Sequence, residues 1–230
     1  MKVVVLTGAG ISAESGIRTF RDSDGLWEGL SVNQVATRTG FGRNPELVNR
    51  FYNQRRRQLA EVTPNAAHFA LAELEQKFGD DFLLVTQNVD DLHERAGSKR
   101  LIHIHGELLK KRCTWCEQTT PCDVDLSAED HCAKCGREMG MRPDIVWFGE
   151  VPHGLERSYE ALQRAEVFAA IGTSGLVEPA SRFGAKAKVY GAHTVEINAT
   201  ETAKSESFDE VLRGPASETV PRWVARFAGR

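Results

Sequence analysis

The stretch Val3-Val4-Val5-Leu6 is apolar without alternation, and it delivers the chain straight into Gly8-Ala9-Gly10-Ile11-Ser12-Ala13. An unbroken β-branched run of this kind is a strand buried on both faces, which demands a parallel sheet with helices on either side. Six such runs are expected as strands, at residues 2–6, 82–86, 101–104, 145–147, 167–171 and 194–197. Helical periodicity falls between them: residues 64–78 place Ala67, Leu71, Leu74 and Phe78 at three- and four-residue spacing behind Pro64 and a Thr63 cap. Residues 155–165 and 221–227 are expected to be helical as well, and 46–59 forms a weaker, Arg-rich helix. Strands alternating with helices predict an α/β fold, a Rossmann-like doubly wound parallel sheet.

The segment 110–142 breaks that rhythm with its cysteines, Gly136 and Gly140. It is expected to be a small inserted module, leaving 1–109 and 143–230 as one dinucleotide-binding domain. Cys113-x2-Cys116, fifteen residues, then Cys132-x2-Cys135 has the spacing of two thiolate knuckles closing one tetrahedral Zn2+ site. Four thiolates leave the metal no open position, so the zinc is structural and holds together a zinc ribbon too small for its own core. Cys122 is left over as a spare thiol.

The glycine turn fits G-x-G-x-x-G/A in its Ala form, where glycines let a pyrophosphate approach and a following helix start offers free N–H groups. An ordinary dehydrogenase then needs a second strand ending in Asp or Glu. Residues 15–25 are instead polar and irregular, and a loop of that length beside a phosphate site is functional. Two more strands end in polar groups. The run 82–86 leads into Gln87, Asn88 and Asp90, and 101–104 into His105 and Gly106. Ligands of open α/β sheets sit beyond the carboxyl ends of strands, so these residues face whatever the glycine turn holds. His105, at the strand end beside a glycine, is the candidate general base, while His103 is the better packed of the pair. The strand at 167–171 enters a second polar glycine turn, Gly172-Thr173-Ser174-Gly175, as suits a nucleotide gripped from both sides.

A formal charge of −3 from 29 basic and 32 acidic residues gives no global drive toward nucleic acid or an anionic membrane. No stretch has the length and apolarity of a membrane span, and Met1-Lys2 leaves no room for a signal peptide before the first strand. A cytoplasmic monomer is expected, with no nucleic-acid or membrane partner, and paired cysteines in a reducing compartment fit that. On residues alone an NAD(P)-dependent oxidoreductase with structural zinc and a non-catalytic zinc-ribbon binding module both stay open. The first lacks its ribose-binding acid, the second its basic-aromatic footprint.

Taken together, Gly8-Ala-Gly-Ile-Ser12, Gly16-Ile-Arg-Thr-Phe-Arg-Asp22, Thr86-Gln-Asn-Val-Asp90, His105-Gly106, the two cysteine pairs, Val146-Trp-Phe-Gly-Glu150 and Gly172-Thr-Ser174 resemble the sirtuins, NAD-dependent protein-lysine deacylases. The runs follow the family's order over nearly the whole chain and are most similar to its bacterial CobB-type members. The resemblance implies that NAD is consumed as a co-substrate. The acyl-lysine carbonyl oxygen would attack C1′ of the nicotinamide ribose, releasing nicotinamide and forming an alkylimidate, with His105 as base for the ribose hydroxyls and free lysine and O-acyl-ADP-ribose as products. It assigns Asn88, Asp90 and Ile17 to the nicotinamide pocket, Phe20 to shielding the reacting sugar, and Gln87 to the ribose. Gly8, Ala9, Gly10, Arg21, Gly172, Thr173, Ser174, Asn198 and Ala216 would follow the phosphates and adenosine. The segment carrying Val146, Phe148, Gly149 and Glu150 would pair with an extended acylated peptide. Transfer of ADP-ribose to protein is the family's alternative outcome.

Tyr52 and Arg55 are three residues apart, hence neighbours on one helix face, where a phenol and a guanidinium can hold a carboxylate. With the small Ala36, this Tyr-x-x-Arg resembles the sirtuin class that accepts succinyl and malonyl groups beside acetyl.

Overall fold

The computed structural model describes residues 1–17, 26–27 and 29–228. In chain order its elements are β1 (Val3–Thr7), β2 (Leu26–Trp27), β3 (Leu30–Ser31), α1 (Val32–Val35), α2 (Arg38–Arg43), α3 (Pro45–Leu59), α4 (Ala66–Phe78), β4 (Phe82–Thr86) and α5 (Leu92–Arg95). There follow β5 (Leu101–His103), β6 (Gly106–Cys113), β7 (Thr119–Pro121), β8 (Met141–Ile145), α6 (Leu155–Gln163), β9 (Val167–Ile171), α7 (Phe183–Val189), β10 (His193–Asn198), β11 (Glu210–Arg213) and α8 (Ala216–Ala225).

Six strands form one parallel sheet in the order β11-β10-β9-β1-β4-β5. Period-two alternation sends Val3 and Val5 into a core with α4 and α8, through Leu71, Leu74, Val220 and Trp223. Val4 and Leu6 go to the other face, against Leu162 of α6 and Phe183 and Ala187 of α7. Both faces are thus apolar because both are covered, as the unbroken Val3–Leu6 run requires. β1 sits between β9 and β4, and the chain's excursions leave it in opposite directions there. That reversal is the switch point at which open α/β sheets bind ligands.

The second sheet is small and antiparallel, β7-β6-β8, and α1, α2 and α3 pack on it through Val35, Phe41, Val48, Phe51, Tyr52, Leu108, Ile145 and Trp147. Here the strand expected at 145–147 is corrected: Ile145 ends β8 beside Gly106 rather than joining the parallel sheet, whose sixth member is β11. β11 escapes notice because Glu210-Val-Leu-Arg213 is a charged edge strand with every other residue exposed. α8 likewise begins five residues before Pro221, which lies inside it. Pro221 has no N–H for Ser217, but Ala216 starts the helix behind Pro215 and carries it through. The weak candidate at 46–59 becomes the full α3, capped by Asn44, whose side chain accepts from the Leu47 N–H at 2.9 Å. Among the described residues no helix is long and apolar enough to cross a membrane.

Candidate active site

The two glycine turns meet at the switch point. Gly8 donates to the Ile171 carbonyl at 3.0 Å and Gly10 to that of Gly172 at 2.8 Å. A Cβ on Gly8 would sit 2.8 Å from the Gly172 oxygen, one on Gly10 2.7 Å from the Gly172 Cα, and Gly172 itself has φ +62°. Both first-turn glycines are therefore demanded by one backbone lying on another, a different reason from the open phosphate approach the sequence suggested. The expected helix start is also absent. Two single 3-10 turns, Ala9–Ile11 and Ala13–Ser15, follow instead, and Ile17 is half-buried against the core of the small sheet. Phe20 and Arg21, with residues 18–25 of the expected loop, lie outside the described residues.

The polar strand ends converge beside these turns. Gln87 donates to Thr173 Oγ1 at 2.9 Å, and Asn198 donates to the Thr173 carbonyl at 2.9 Å, so β4, β9 and β10 are tied across the sheet edge. Ser174 is half-buried next to them, and Ala216 is buried at the start of α8. Asn88 reaches the Gly8 carbonyl at 3.2 Å and Ser12 Oγ at 3.1 Å. Ser12 in turn donates to Asp90 at 3.2 Å. Burial pushes the Asp90 carboxyl up to about 6, despite its bonds from Leu92 and Ser12.

Two histidines grip consecutive carbonyls. His105 Nδ1 lies 3.2 Å from the Gln87 oxygen and His103 Nδ1 2.8 Å from that of Asn88. A carbonyl only accepts, so each Nδ1 carries a proton. For His105, whose pKa burial lowers, the ring is neutral and Nε2 keeps a basic lone pair. His103 is different: its Nε2 lies 2.7 Å from Glu94 Oε1, a second acceptor, so both nitrogens donate and the ring is an imidazolium. Burial pulls its pKa down, yet the Glu94 bond and charge outweigh this and leave it raised. The end of β5 thus carries a charged, paired His103, and two residues on a neutral imidazole, His105.

The residues expected to bind the acyl group and peptide gather on the small sheet's side. Tyr52 is fully buried and accepts from Trp147 Nε1 at 3.1 Å. Arg55 is buried on the next turn, donates to the Phe51 carbonyl at 2.6 Å, and lies over the Phe51 ring. Its charge acts on the Tyr52 hydroxyl, though burial dominates and raises that pKa. Ala36 is buried at the end of α1 and its carbonyl accepts from Phe148 N at 3.0 Å. Val146 N donates to the His105 carbonyl at 2.8 Å, which fastens the 146–150 segment to His105. Phe148 and Gly149 are exposed.

Glu150 has a different place from the one expected of a peptide contact. Its carboxylate takes two bonds from Arg142, at 2.7 and 2.9 Å, one from Arg38 at 2.7 Å and one from Trp147 N at 2.9 Å. Burial would raise its pKa, but Arg142 and these other donors hold it down at about 2. A depressed carboxyl contributes stability above its unfolded pKa and loses it as pH falls through the folded one. Glu150→Gln should therefore cost about 2–3 kcal/mol at pH 7. In denaturant titrations the gap from wild type should close between pH 4.5 and about 2; a gap independent of pH would refute the linkage.

All five cysteines are free thiols. Cys113, Cys116, Cys132 and Cys135 bring their Sγ atoms within 4.8 Å of one another. A Zn–S bond of about 2.3 Å in a tetrahedron sets sulfurs about 3.8 Å apart; Cys113 and Cys135 are separated by 3.8 Å, Cys116 and Cys132 by 3.7 Å. The two knuckles match in backbone as well. Glu117 and Gly136 both have left-handed φ, +56° and +70°, and donate to the carbonyls of Cys113 and Cys132 at 3.0 and 2.8 Å. The donor set fits a structural Zn2+.

Sequence reasoning passed over the polar layer beneath the first glycine turn. Asn65 N donates to His68 Nδ1 at 3.2 Å, which leaves the proton on Nε2, 3.4 Å from Ser12 Oγ. Burial lowers His68 to about 4, so it stays neutral and the chain His68, Ser12, Asp90 runs donor to acceptor throughout. His93, driven down by burial, supports Thr7 Oγ1 at 3.0 Å. The available signal was the position of His68: third after a capping Asn65, on the buried stripe of α4.

A family model described as the Sir2 family matches residues 8–179. A protein of Pasteurella multocida (strain Pm70) named NAD-dependent protein deacylase is 56% identical over 229 residues, covering 99% of this chain and 98% of its own length. One of the same name from Salmonella typhimurium is 56% identical over 98% of this chain and 84% of its own. Among solved structures, a Sir2 homolog–NAD complex matches with TM-score 0.90 at 40% identity, over 99% of this chain and 90% of that one. A Sir2 protein bound to acetylated peptide matches with TM-score 0.83 at 30% identity, over 99% and 93%. With the family model spanning most of its 230 residues and relatives this similar along its whole length, the chain belongs to the Sir2 family.

Proposed function

We propose that this chain is an NAD-dependent protein-lysine deacylase that removes acetyl and also acidic acyl groups, succinyl and malonyl, yielding nicotinamide and O-acyl-ADP-ribose. The observation that carries the reading is His105: a half-buried, neutral imidazole whose Nδ1 is committed to the Gln87 carbonyl and whose Nε2 is left as an acceptor beside the switch point. The relatives named as NAD-dependent deacylases and the structures with NAD and with acetylated peptide support the same chemistry.

NAD, as co-substrate, supplies an electrophilic anomeric carbon and nicotinamide as leaving group. Asn88, Asp90 and Ile17 hold the carboxamide end; Gln87 holds the ribose; Gly8, Ala9, Gly10, Gly172, Thr173, Ser174, Asn198 and Ala216 follow the phosphates and adenosine. His105 Nε2 takes the proton of a ribose hydroxyl, which makes that oxygen the nucleophile for the later steps. This chemistry requires a dry pocket, in which the developing positive charge on the sugar is met by fixed dipoles and not by water. The acylated peptide adds as a strand along residues 146–150, where Phe148 and Gly149 are exposed. Zinc on the four cysteines is structural, and the protein works as a cytoplasmic monomer.

The acidic-acyl reading rests on Tyr52 and Arg55, buried together on α3 near the Trp147 end of that segment. The test is incubation with NAD and two peptides of one sequence, carrying acetyl- or succinyl-lysine, with peptide mass and nicotinamide followed. Both groups should be removed only with NAD. Arg55→Met should lower the succinyl-to-acetyl ratio of kcat/KM about 10²-fold, the worth of a charge-assisted carboxylate contact; an unchanged ratio would make Arg55 a packing residue. Absence of any peptide turnover would sink the deacylase reading.

A further inference from the structure

Helix α3 carries two stripes with separate tasks. Phe51, Tyr52 and Arg55 share one; Asn53, Arg56 and Arg57 form a second, turned toward the cysteine module. Asn53 is buried and pairs with both polar groups of one residue, its Nδ2 donating to the Leu126 carbonyl at 2.8 Å and its Oδ1 accepting from Leu126 N at 2.9 Å. Arg56, also buried, donates to Asn53 Oδ1 at 2.7 Å and to the Leu108 carbonyl at 2.8 Å. Leu126 lies between the two knuckles, and Leu108 is on β6, the strand that ends in Cys113. Arg57 adds an exposed bridge to Asp125 at 2.5 Å. α3 is therefore fastened to the module by side-chain bonds at fixed register, where apolar packing alone would allow it to slide and rotate.

We infer that Asn53 is a positioning residue through which the cysteine module sets the place of Tyr52 and Arg55, making the module part of the apparatus that discriminates acidic acyl chains. The inference rests on the acyl reading above. A carboxylate must meet a planar guanidinium at about 2.7–2.9 Å, and a misplacement of about 1 Å can cost about 10²-fold. An acetyl group carries no distal carboxylate to present to α3 and is indifferent to such a shift. Loosening the Asn53 clasp should therefore separate two substrates that share one catalytic centre.

Asn53→Asp is the finer probe: it keeps both accepted bonds and sets an oxygen against the Leu126 carbonyl in place of the donated one. Asn53→Ala removes all three. For both variants the measurements are kcat and KM on the paired acetyl- and succinyl-lysine peptides at saturating NAD, the Kd of the succinyl peptide, and zinc content. Expected is a succinyl KM and Kd raised about tenfold or more, with the acetyl constants within about twofold and one zinc per chain retained. Equal losses on both peptides, or no change on either, would overturn the inference, and if Asn53→Ala fails to fold the Asp variant decides alone. Arg55→Met is measured in parallel. If it raises the succinyl KM and Asn53→Asp does not, only this inference falls; if it leaves that KM at the wild-type value, the acyl reading falls and takes this inference with it.

Discussion

His105→Tyr is expected to lower kcat on acetyl-lysine peptide by about 10²–10⁴-fold, the range a positioned general base supplies. The tyrosine can fill the half-buried space at the end of β5, so fold, zinc content and NAD binding should survive, but a phenol offers no lone pair of comparable basicity at neutral pH. The wild-type pH profile carries the same claim. Burial lowers the His105 pKa, and the neutral ring is the active form, so activity is held as pH falls and is lost only through a midpoint below the ordinary imidazole value of 6.5. His103 cannot take over, since both of its nitrogens already donate, to Asn88 and Glu94. Retained turnover in the variant, or an acid limb centred above 6.5, would remove His105 from the role.

The parts legible in the sequence are those where one residue type has one physical use. Val3-Val4-Val5-Leu6 could only be a strand covered on both faces, and two Cys-x2-Cys pairs could hardly be anything but a thiolate site. Polar residues immediately after strands, Gln87 to Asp90 and His105, could be placed at the carboxyl edge because the sheet is parallel. Legibility fails where tertiary context chooses between uses. Glu150 follows an exposed glycine and suggests a substrate contact, yet Arg142, ten residues after Cys132 and unremarkable in sequence, claims it. Gly8 and Gly10 stand out in the sequence for phosphate approach, and the structure adds a second demand on both that the sequence does not show, the Gly172 backbone lying against them. His68 and Ser12 are 56 positions apart and meet only because α4 packs under the first turn. The roles along the cofactor and acyl chain came from the family resemblance, and the fold adds to them the scaffold: which groups hold each residue still.

Removing the metal is expected to have the largest effect on stability. Leu108 and Ile145 tie one end of the small sheet to α3, but the cysteine end has only Cys113, Cys132 and Met141 as its own buried cluster, far too little apolar surface to stay ordered without the thiolate site. Structural zinc supplies on the order of 10 kcal/mol in such modules, so Cys132→Ser or chelation should release one equivalent of metal and melt β6, β7 and β8. The damage should then spread along two defined routes. β6 begins at Gly106, directly after His105, and Val146 N holds the His105 carbonyl, so the base loses its footing; α3 loses its bonds to Leu126 and Leu108. The parallel sheet has its own two cores and should persist. Amide exchange distinguishes this from global unfolding: protection should vanish over 106–113 and 141–145 while β1, β4 and β9 stay protected, and deacylation should be lost on both peptides together. That joint loss contrasts with the selective one expected of Asn53→Asp, because the metal supports the base and the acyl helix alike whereas the clasp serves the helix alone. A metal-free protein that keeps protected β6 and β8 amides would show that packing against α3, and not thiolate coordination, holds the module.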